Sequence, residues 1–207
     1  MGRTSDAEAR LIEHAARLWY ARSYADVGVS EICEAAGVKK GSFYHFFPSK
    51  RDLALAVLDD HRSRFQAEIV APALGADAPA LERLDMLAQR GAEAMQVQKD
   101  ELGLVCGCPF GNLAVELSTI DEVVRVRLEE LFGERVAVVR SLLDEAVAEG
   151  ELPETTDTHL VAQAIHAYYE GLLAMSKTSG DPEVLRRLGP LARRLAGVAV
   201  AHGAVAA

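Results

Sequence analysis

Cysteine, tryptophan and long apolar runs are all scarce in this chain of 207 residues. Three cysteines, Cys33, Cys106 and Cys108, are too few for a disulfide framework and suit a reducing compartment. No apolar stretch approaches the roughly 20 residues that span a bilayer, and the opening MGRTSDAEAR is charged where a secretory leader would be apolar. Asn-Gly and Asp-Gly turns between alternating apolar runs are missing, which removes the usual hairpin signal. So are G-x-S-x-G, G-x-x-x-x-G-K-[ST], H-E-x-x-H and a strand-bound G-x-G-x-x-G, the signatures of hydrolase, nucleotide, zinc-protease and dinucleotide sites. The expectation is a soluble cytoplasmic protein that is not an enzyme, needs no cofactor or metal and has no membrane partner. A thiol enzyme built on Cys108 is the competing class and would need a base beside that sulfur.

Half the residues are apolar and 26% are charged, the balance of a globular chain. At this length about 70% of the unfolded surface is buried without any covalent staple. The net charge of −9 is unevenly spread: residues 1–52 carry net +1, leaving −10 for residues 53–207. Adjacent basic residues near the front occur only as Lys39-Lys40 and Lys50-Arg51. A neutral-to-basic front on an acidic body suggests a two-part molecule.

Alanine, leucine, glutamate and arginine dominate, and the pattern predicts an all-α chain. A first helix, with Ser5 or Asp6 as its cap, carries Ala9, Ile12, Ala16 and Trp19 on one face. Residues 30–36 and 41–47 form two short helices about the Gly37 turn. Pro48 ends the second, and Ser49 caps a helix over 50–71. Residues 71–80, with two prolines and a glycine, form the best linker, followed by a helix over 79–98. Residues 102–112 are a buried glycine-rich turn leading into a helix that ends at Ser118. A long amphipathic helix over 121–149 places Val124, Leu128, Leu131, Val138, Leu142 and Ala146 on one face and stops at Gly150. Helices over 157–179 and 182–200 complete the chain; Pro190 kinks the last, and the terminal HGAVAA frays.

Two short helices about a glycine turn, the second rich in polar residues, make a helix-turn-helix. Its second helix opens with Lys40, Gly41 and Ser42, which suit base edges in a major groove: a long cation, a residue that lets backbone come close, and a hydroxyl that donates or accepts. Tyr44 and Lys50 suit phosphates, as do the amides opening the next helix. Phe43, Phe46 and Phe47 read as the packing face of a small subdomain in preference to a stacking platform, since such platforms usually sit on sheets. The run VSEICEAAGVKKGSFYHFFPSKRDLALAVL, residues 29–58, resembles the DNA-binding signature of the TetR family of bacterial transcriptional repressors. The resemblance extends from Ser5 to about Leu58. It implies a three-helix DNA-binding domain over 1–50 and a helical effector-binding and dimerisation domain over 51–207. The implied partners are a second copy of the chain, a palindromic double-stranded operator and a small-molecule effector that releases the DNA. By position Lys40, Gly41, Ser42 and His45 would face bases, and Ser30, Lys39, Tyr44 and Lys50 phosphates.

In the C-terminal half, Ala164, Ala167, Gly171 and Ala174 form a stripe of small residues that lets another helix come close. Beside it runs Val161, Ile165, Tyr168, Leu172 and Met175. The last helix offers Val184, Leu188, Leu191, Leu195 and Val198. These faces serve either ordinary packing within the chain or, as the resemblance implies, a homodimer through the helices over 157–179 and 182–200. Residues 106–118, CGCPFGNLAVELS, resemble a stretch of the TetR subgroup that includes repressors responding to electrophiles and acrylate-like compounds. That resemblance makes Cys108 a candidate sensing thiol, activated by the helix start at Pro109; the alternative is a small buried hydrophobe. A soft metal held by Cys106 and Cys108 with His166 or His159 is a further alternative. Candidate effector contacts are Phe65, Met86, Met95, Phe110, Asn112, His166, Tyr169 and Glu170. His166 and Glu170, one turn apart, form either a polar anchor or a salt-bridged surface pair.

Overall fold

The computed structural model describes the backbone of residues 3–202 and the side chains of residues 6–197. Every regular element among the described residues is helical. The α-helices are α1 (Arg3–Ala21), α2 (Val29–Ala35), α3 (Lys40–Phe46), α4 (Lys50–Phe65), α5 (Ala71–Leu74), α6 (Ala80–Leu102), α7 (Pro109–Leu117), α8 (Glu122–Ala148), α9 (Thr158–Ser179), α10 (Glu183–Leu188) and α11 (Ala192–His202). A π-helical turn, Gln66–Val70, joins α4 to α5, and a 3-10 turn, Gly189–Leu191, joins α10 to α11. None of these helices is long and apolar enough to cross a membrane.

The chain divides into two compact units. The first contains residues up to Arg64 together with Pro109–Glu129, and the second contains Phe65–Cys108 and the chain from Glu130 onward.

In the first unit the helix-turn-helix is built as its sequence dictates. Gly37 takes a left-handed φ of 63° between α2 and α3, a conformation any side chain would strain. Ser49 Oγ accepts from the Asp52 amide at 3.2 Å and donates to the Asp52 carboxylate at 2.6 Å, so α4 starts on a reciprocal cap. The core holds Leu11, Ala15, Trp19, Val27, Ile32, Cys33, Phe43, Phe47, Leu53 and Val57. On α1 the buried stripe is therefore Leu11, Ala15 and Trp19: Trp19 is buried as expected, while Leu11 and Ala15 take the places expected for Ile12 and Ala16. Ile12 and Ala16 are half-buried flanks and Ala9 is exposed. The helix begins at Arg3, ahead of the expected caps Ser5 and Asp6; Asp6 instead pairs with Arg10, whose Nε donates to Ala36 O at 3.0 Å and so ties α1 to the end of α2. The later segment joins this unit through Arg127 on Asp59 at 2.6 Å, Arg51 near Asp121 at 3.8 Å, and the Phe110 ring edge-on to His61.

The second unit packs Leu84, Leu142, Leu143, Ala146, Val161 and Ile165 into its main core. The expected linker over 71–80 is shorter than its composition suggests. Pro72 follows directly on the π turn, where the Ala71 amide already bonds to Gln66 O and the regular ladder is broken, so helix continues to Leu74 and the irregular chain is confined to 75–79. Likewise α6 runs past Gln98 to Leu102, because its stop signal is Gly103 in the left-handed region at φ 71°. Asp157 caps α9, accepting from the Leu160 amide at 3.0 Å. Pro190, expected to kink one continuous helix, instead divides it into α10 and α11 through the 3-10 turn. Of the fraying expected at the terminus, the part beyond His202 lies outside the described residues.

Candidate functional site

Two groups of residues in the structure can do chemistry that packing alone does not require, one in each unit. On the helix-turn-helix, the short helix α3 buries Phe43 completely and Phe47 nearly so, against the core just described. That fixes its rotation and turns the opposite side outward. Ser30, Lys39, Lys40, Gly41, Ser42, Tyr44 and His45 are all exposed. A Cβ added at Gly41 would meet nothing within 4 Å, so no packing demand inside the chain accounts for a glycine there. The expected apolar face thus packs inward, with Phe46 half-buried at its edge.

Lys50 differs from the rest of the set. Its ammonium donates to the Tyr24 carbonyl and lies 4.0 Å above the Tyr24 ring centroid. Burial pulls its pKa down, opposed by Glu116 and Asp26. Glu116 also accepts from the Ala25 amide at 3.4 Å, so α7 braces the loop ahead of α2.

The second group surrounds a residue that the sequence reading passed over, Arg135 of α8. Its Nη1 lies 3.4 Å from Cys108 Sγ and 3.2 Å from Glu170 Oε1, and its guanidinium covers the Phe65 ring at 4.2 Å. The arginine side chain is only 12% exposed. Burial pushes the Glu170 carboxyl above its usual range, while Arg135 and a hydrogen bond from the Cys108 thiol pull it back. His166, one turn before Glu170, lies tilted against the Phe132 ring with centroids 5.3 Å apart, and its pKa is pushed down to about 4 by burial and then by the Arg135 charge. The surface His166–Glu170 pair therefore gives way to a different arrangement: Glu170 pairs with Arg135, and both residues are largely buried. The apolar stripe of α8 could have disclosed Arg135. Leu128, Leu131, Val138 and Leu142 follow helical spacing, and the position one turn after Leu131 is a cation.

Cys108 is 6% exposed and directly precedes the first residue of α7. Cys106 is 1% exposed, its Sγ 3.7 Å from Leu104 O; burial pushes its thiol pKa up, with Lys177 opposing. Between them Gly107 takes φ 70°, and a Cβ there would come within 3.2 Å of Leu173 O and 3.3 Å of Lys177. Cys33 is a core thiol whose pKa burial raises. Among the described residues no group of three or more His, Cys, Asp and Glu gathers to hold a metal. The other expected effector contacts are dispersed. Met95 packs with Ala88, Ala92, Val105, Leu172 and Leu185. Tyr169 donates to Leu84 O at 3.4 Å, its pKa raised chiefly by burial. Met86 packs on the main core. Phe110 and Asn112 lie on α7 in the first unit, Phe110 buried and Asn112 partly so.

The depressed His166 pKa makes stability depend on pH. The unfolded chain takes up this proton near pH 6.5 and the folded chain only near 4. Between those values the unfolded state binds more protons, so the contribution is complete above pH 6.5 and is lost as pH falls toward 4. Relative to His166→Gln, the wild-type chain is expected to lose about 2 kcal/mol between roughly pH 7 and 5. Urea unfolding at the two pH values measures this; equal losses in both proteins would refute it.

The face of α9 is the third notable surface. Ala164, Ala167, Gly171 and Ala174 are all exposed, with Leu160 at 57% and Met175 at 52% exposure flanking them, while Val161, Ile165 and Leu172 point into the core. Leu191 is exposed too, Leu195 half-buried and Val184 buried; the Val198 side chain lies outside the described residues.

Comparison with known proteins finds family matches in both parts of the chain. Residues 11–57 match the family model described as bacterial regulatory proteins, tetR family. Residues 80–190 match the one described as tetracyclin repressor-like, C-terminal domain. The chain is similar to the transcriptional regulator AcuR of Cereibacter sphaeroides, 31% identical over 164 residues that cover 79% of this chain and 73% of AcuR. It is also similar to the HTH-type transcriptional repressor DhaR of a Mycobacterium species, 29% identical over 84% of each chain. Among solved structures, regulatory protein TetR from Rhodobacter sphaeroides superposes with a TM-score of 0.79 at 28% identity, covering 95% of this chain and 98% of that one.

Proposed function

Since the chain belongs to the TetR family of bacterial transcriptional regulators, we propose that it represses transcription by holding a palindromic operator as a homodimer. A small-molecule or thiol-reactive effector acting on residues 51–207 releases the DNA. The observation that carries this reading is the polar row of α3, exposed in full above a fully buried Phe43. A helix so anchored has nothing to do with its outer face inside its own chain. Lys40, Gly41, Ser42 and His45 read base edges, and Ser30, Lys39, Tyr44 and Lys50 hold phosphates, Lys50 from a position already set by Tyr24. Residues 1–50 form the DNA-binding domain.

The exposed small-residue face of α9, with α10 and α11, supplies the dimer contact. Small side chains let two helices approach closely, and two flanking large apolar residues gain burial there. A dimer presents two reading helices to half-sites about one DNA turn apart. The acidic body turns the basic end toward DNA, and the work is done in the cytoplasm, where the operator is. Sensing falls to Cys108 with His166 and Glu170 around Arg135, and Met95 and Tyr169 are further effector contacts.

The test is fluorescence anisotropy of the reduced protein on duplex DNA from upstream of its own gene, with selection from random duplexes as the second source of sites. Binding should weaken by about a thousandfold between roughly 50 and 200 mM salt. Diamide or N-ethylmaleimide should release the wild type and leave Cys108→Ser bound. Release of both proteins alike would end the thiol reading while keeping the repressor. A protein that binds no duplex from either source is not an operator-binding regulator.

A further inference from the structure

The chain passes between its two compact units at residues 64/65, 108/109 and 129/130. The first residue after the first passage is Phe65, and the last before the second is Cys108. Both touch one side chain: the Arg135 guanidinium lies 4.2 Å over the Phe65 ring, and its Nη1 lies 3.4 Å from Cys108 Sγ. Arg135 itself stands on α8, the helix that carries the third passage. Glu170 of α9 completes the group at 3.2 Å and fixes the guanidinium from a helix that makes no passage.

Stability alone is a poor reason for such a group. A leucine would continue the apolar stripe of α8, and buried ion pairs are often no more stabilising than apolar residues of similar volume. A guanidinium does what leucine cannot: its flat face takes a ring while its edge takes a carboxylate and a sulfur, so segments far apart in sequence are held in one geometry. We propose that Arg135 is the positioning residue of this regulator, fixing together the points of the second unit from which the chain leaves for the operator-binding unit, and thereby setting the half-site spacing that the dimer reads. The proposal rests on the operator-binding reading above.

The experiment uses the full-length wild type, Arg135→Lys, and the double variant Arg135→Met/Glu170→Gln, which removes the Glu170 charge together with its partner. Each is titrated against the duplex recovered by selection on the wild type, and against versions with the half-site spacing one base pair longer or shorter. For the wild type a one-base-pair change should cost about tenfold or more, since it both shifts and rotates one half-site. In both variants the preference for the original spacing should fall to about threefold or less, or move to another spacing. Lysine keeps the charge and lacks the planar fork, so Arg135→Lys should follow the double variant. General destabilisation would weaken all three duplexes in proportion and leave the ratio unchanged. That outcome, in a variant whose melting curve shows a folded chain, overturns the role of Arg135 while the operator reading stands. A wild type that binds no duplex removes the operator reading first, and this proposal with it.

Discussion

Phe43→Ala should destabilise the first unit by about 3–5 kcal/mol, while Tyr44→Ala, the next residue along, should cost at most about 1 kcal/mol. The two side chains sit edge to face with centroids 5.1 Å apart, yet Phe43 is wholly buried and Tyr44 is 51% exposed. Removing Phe43 opens a cavity among core residues that include Ile32, Val57 and Phe47, and α2 and α3 are too short to hold together without that core. Trp19 is the only tryptophan and lies in the same core, so its fluorescence reports on this unit during urea unfolding. The operator measurement should invert the order of the stability measurement. Tyr44→Ala, with its Trp19 transition in place, should lose about tenfold or more in DNA affinity through a missing phosphate contact. An unmoved transition in Phe43→Ala would mean that α3 is anchored by something other than its phenylalanine face.

Gly189→Ala should cost the second unit about 3 kcal/mol, the upper end of ordinary overpacking. A Cβ at this position would fall 2.4 Å from the Cβ of Ala88 on α6, a separation that two carbon atoms cannot share. Neither atom belongs to a flexible side chain, so the 3-10 turn or α6 itself must move. Far-UV circular dichroism during denaturant unfolding measures the loss. Ala88→Gly vacates the opposing position at about 1 kcal/mol of helix propensity, and the double variant Gly189→Ala/Ala88→Gly should recover more than half the loss. Strictly additive losses would place the strain elsewhere.

The helix-turn-helix was readable because its signals are local. Gly37 between two short helices, Pro48-Ser49 ahead of α4, and phenylalanines at helical spacing each act within a few residues, and the structure uses each in that way. Where the reading slipped, longer-range packing had decided. Ala9 and Leu11 are both apolar, and only the orientation of α1 on its core selects Leu11 for burial. Pro72 reads as a linker residue because a proline carried within a continuing helix and a loop proline are the same in sequence. The buried cluster was half legible. Cys108, Phe65, His166 and Glu170 stood out singly by type, but Arg135, which joins three of them, comes from a helix whose apolar periodicity drew attention away from its one buried cation.

The interleaving of the two units also bears on how this protein is made. The helix-turn-helix is first off the ribosome, but its unit is not whole until Glu129 has been added, by which time residues 65–108, all belonging to the other unit, have already been synthesised. A nascent chain halted at Arg64 would hold Asp59, Arg51 and His61 without Arg127, Asp121 and Phe110. The buried core of that unit, all within residues 11–57, can form as soon as it is made, whereas these contacts wait for the second segment. A contiguous cassette ending at Arg64 would therefore carry the helix-turn-helix core onto another regulator but leave behind its contacts to Phe110, Asp121 and Arg127.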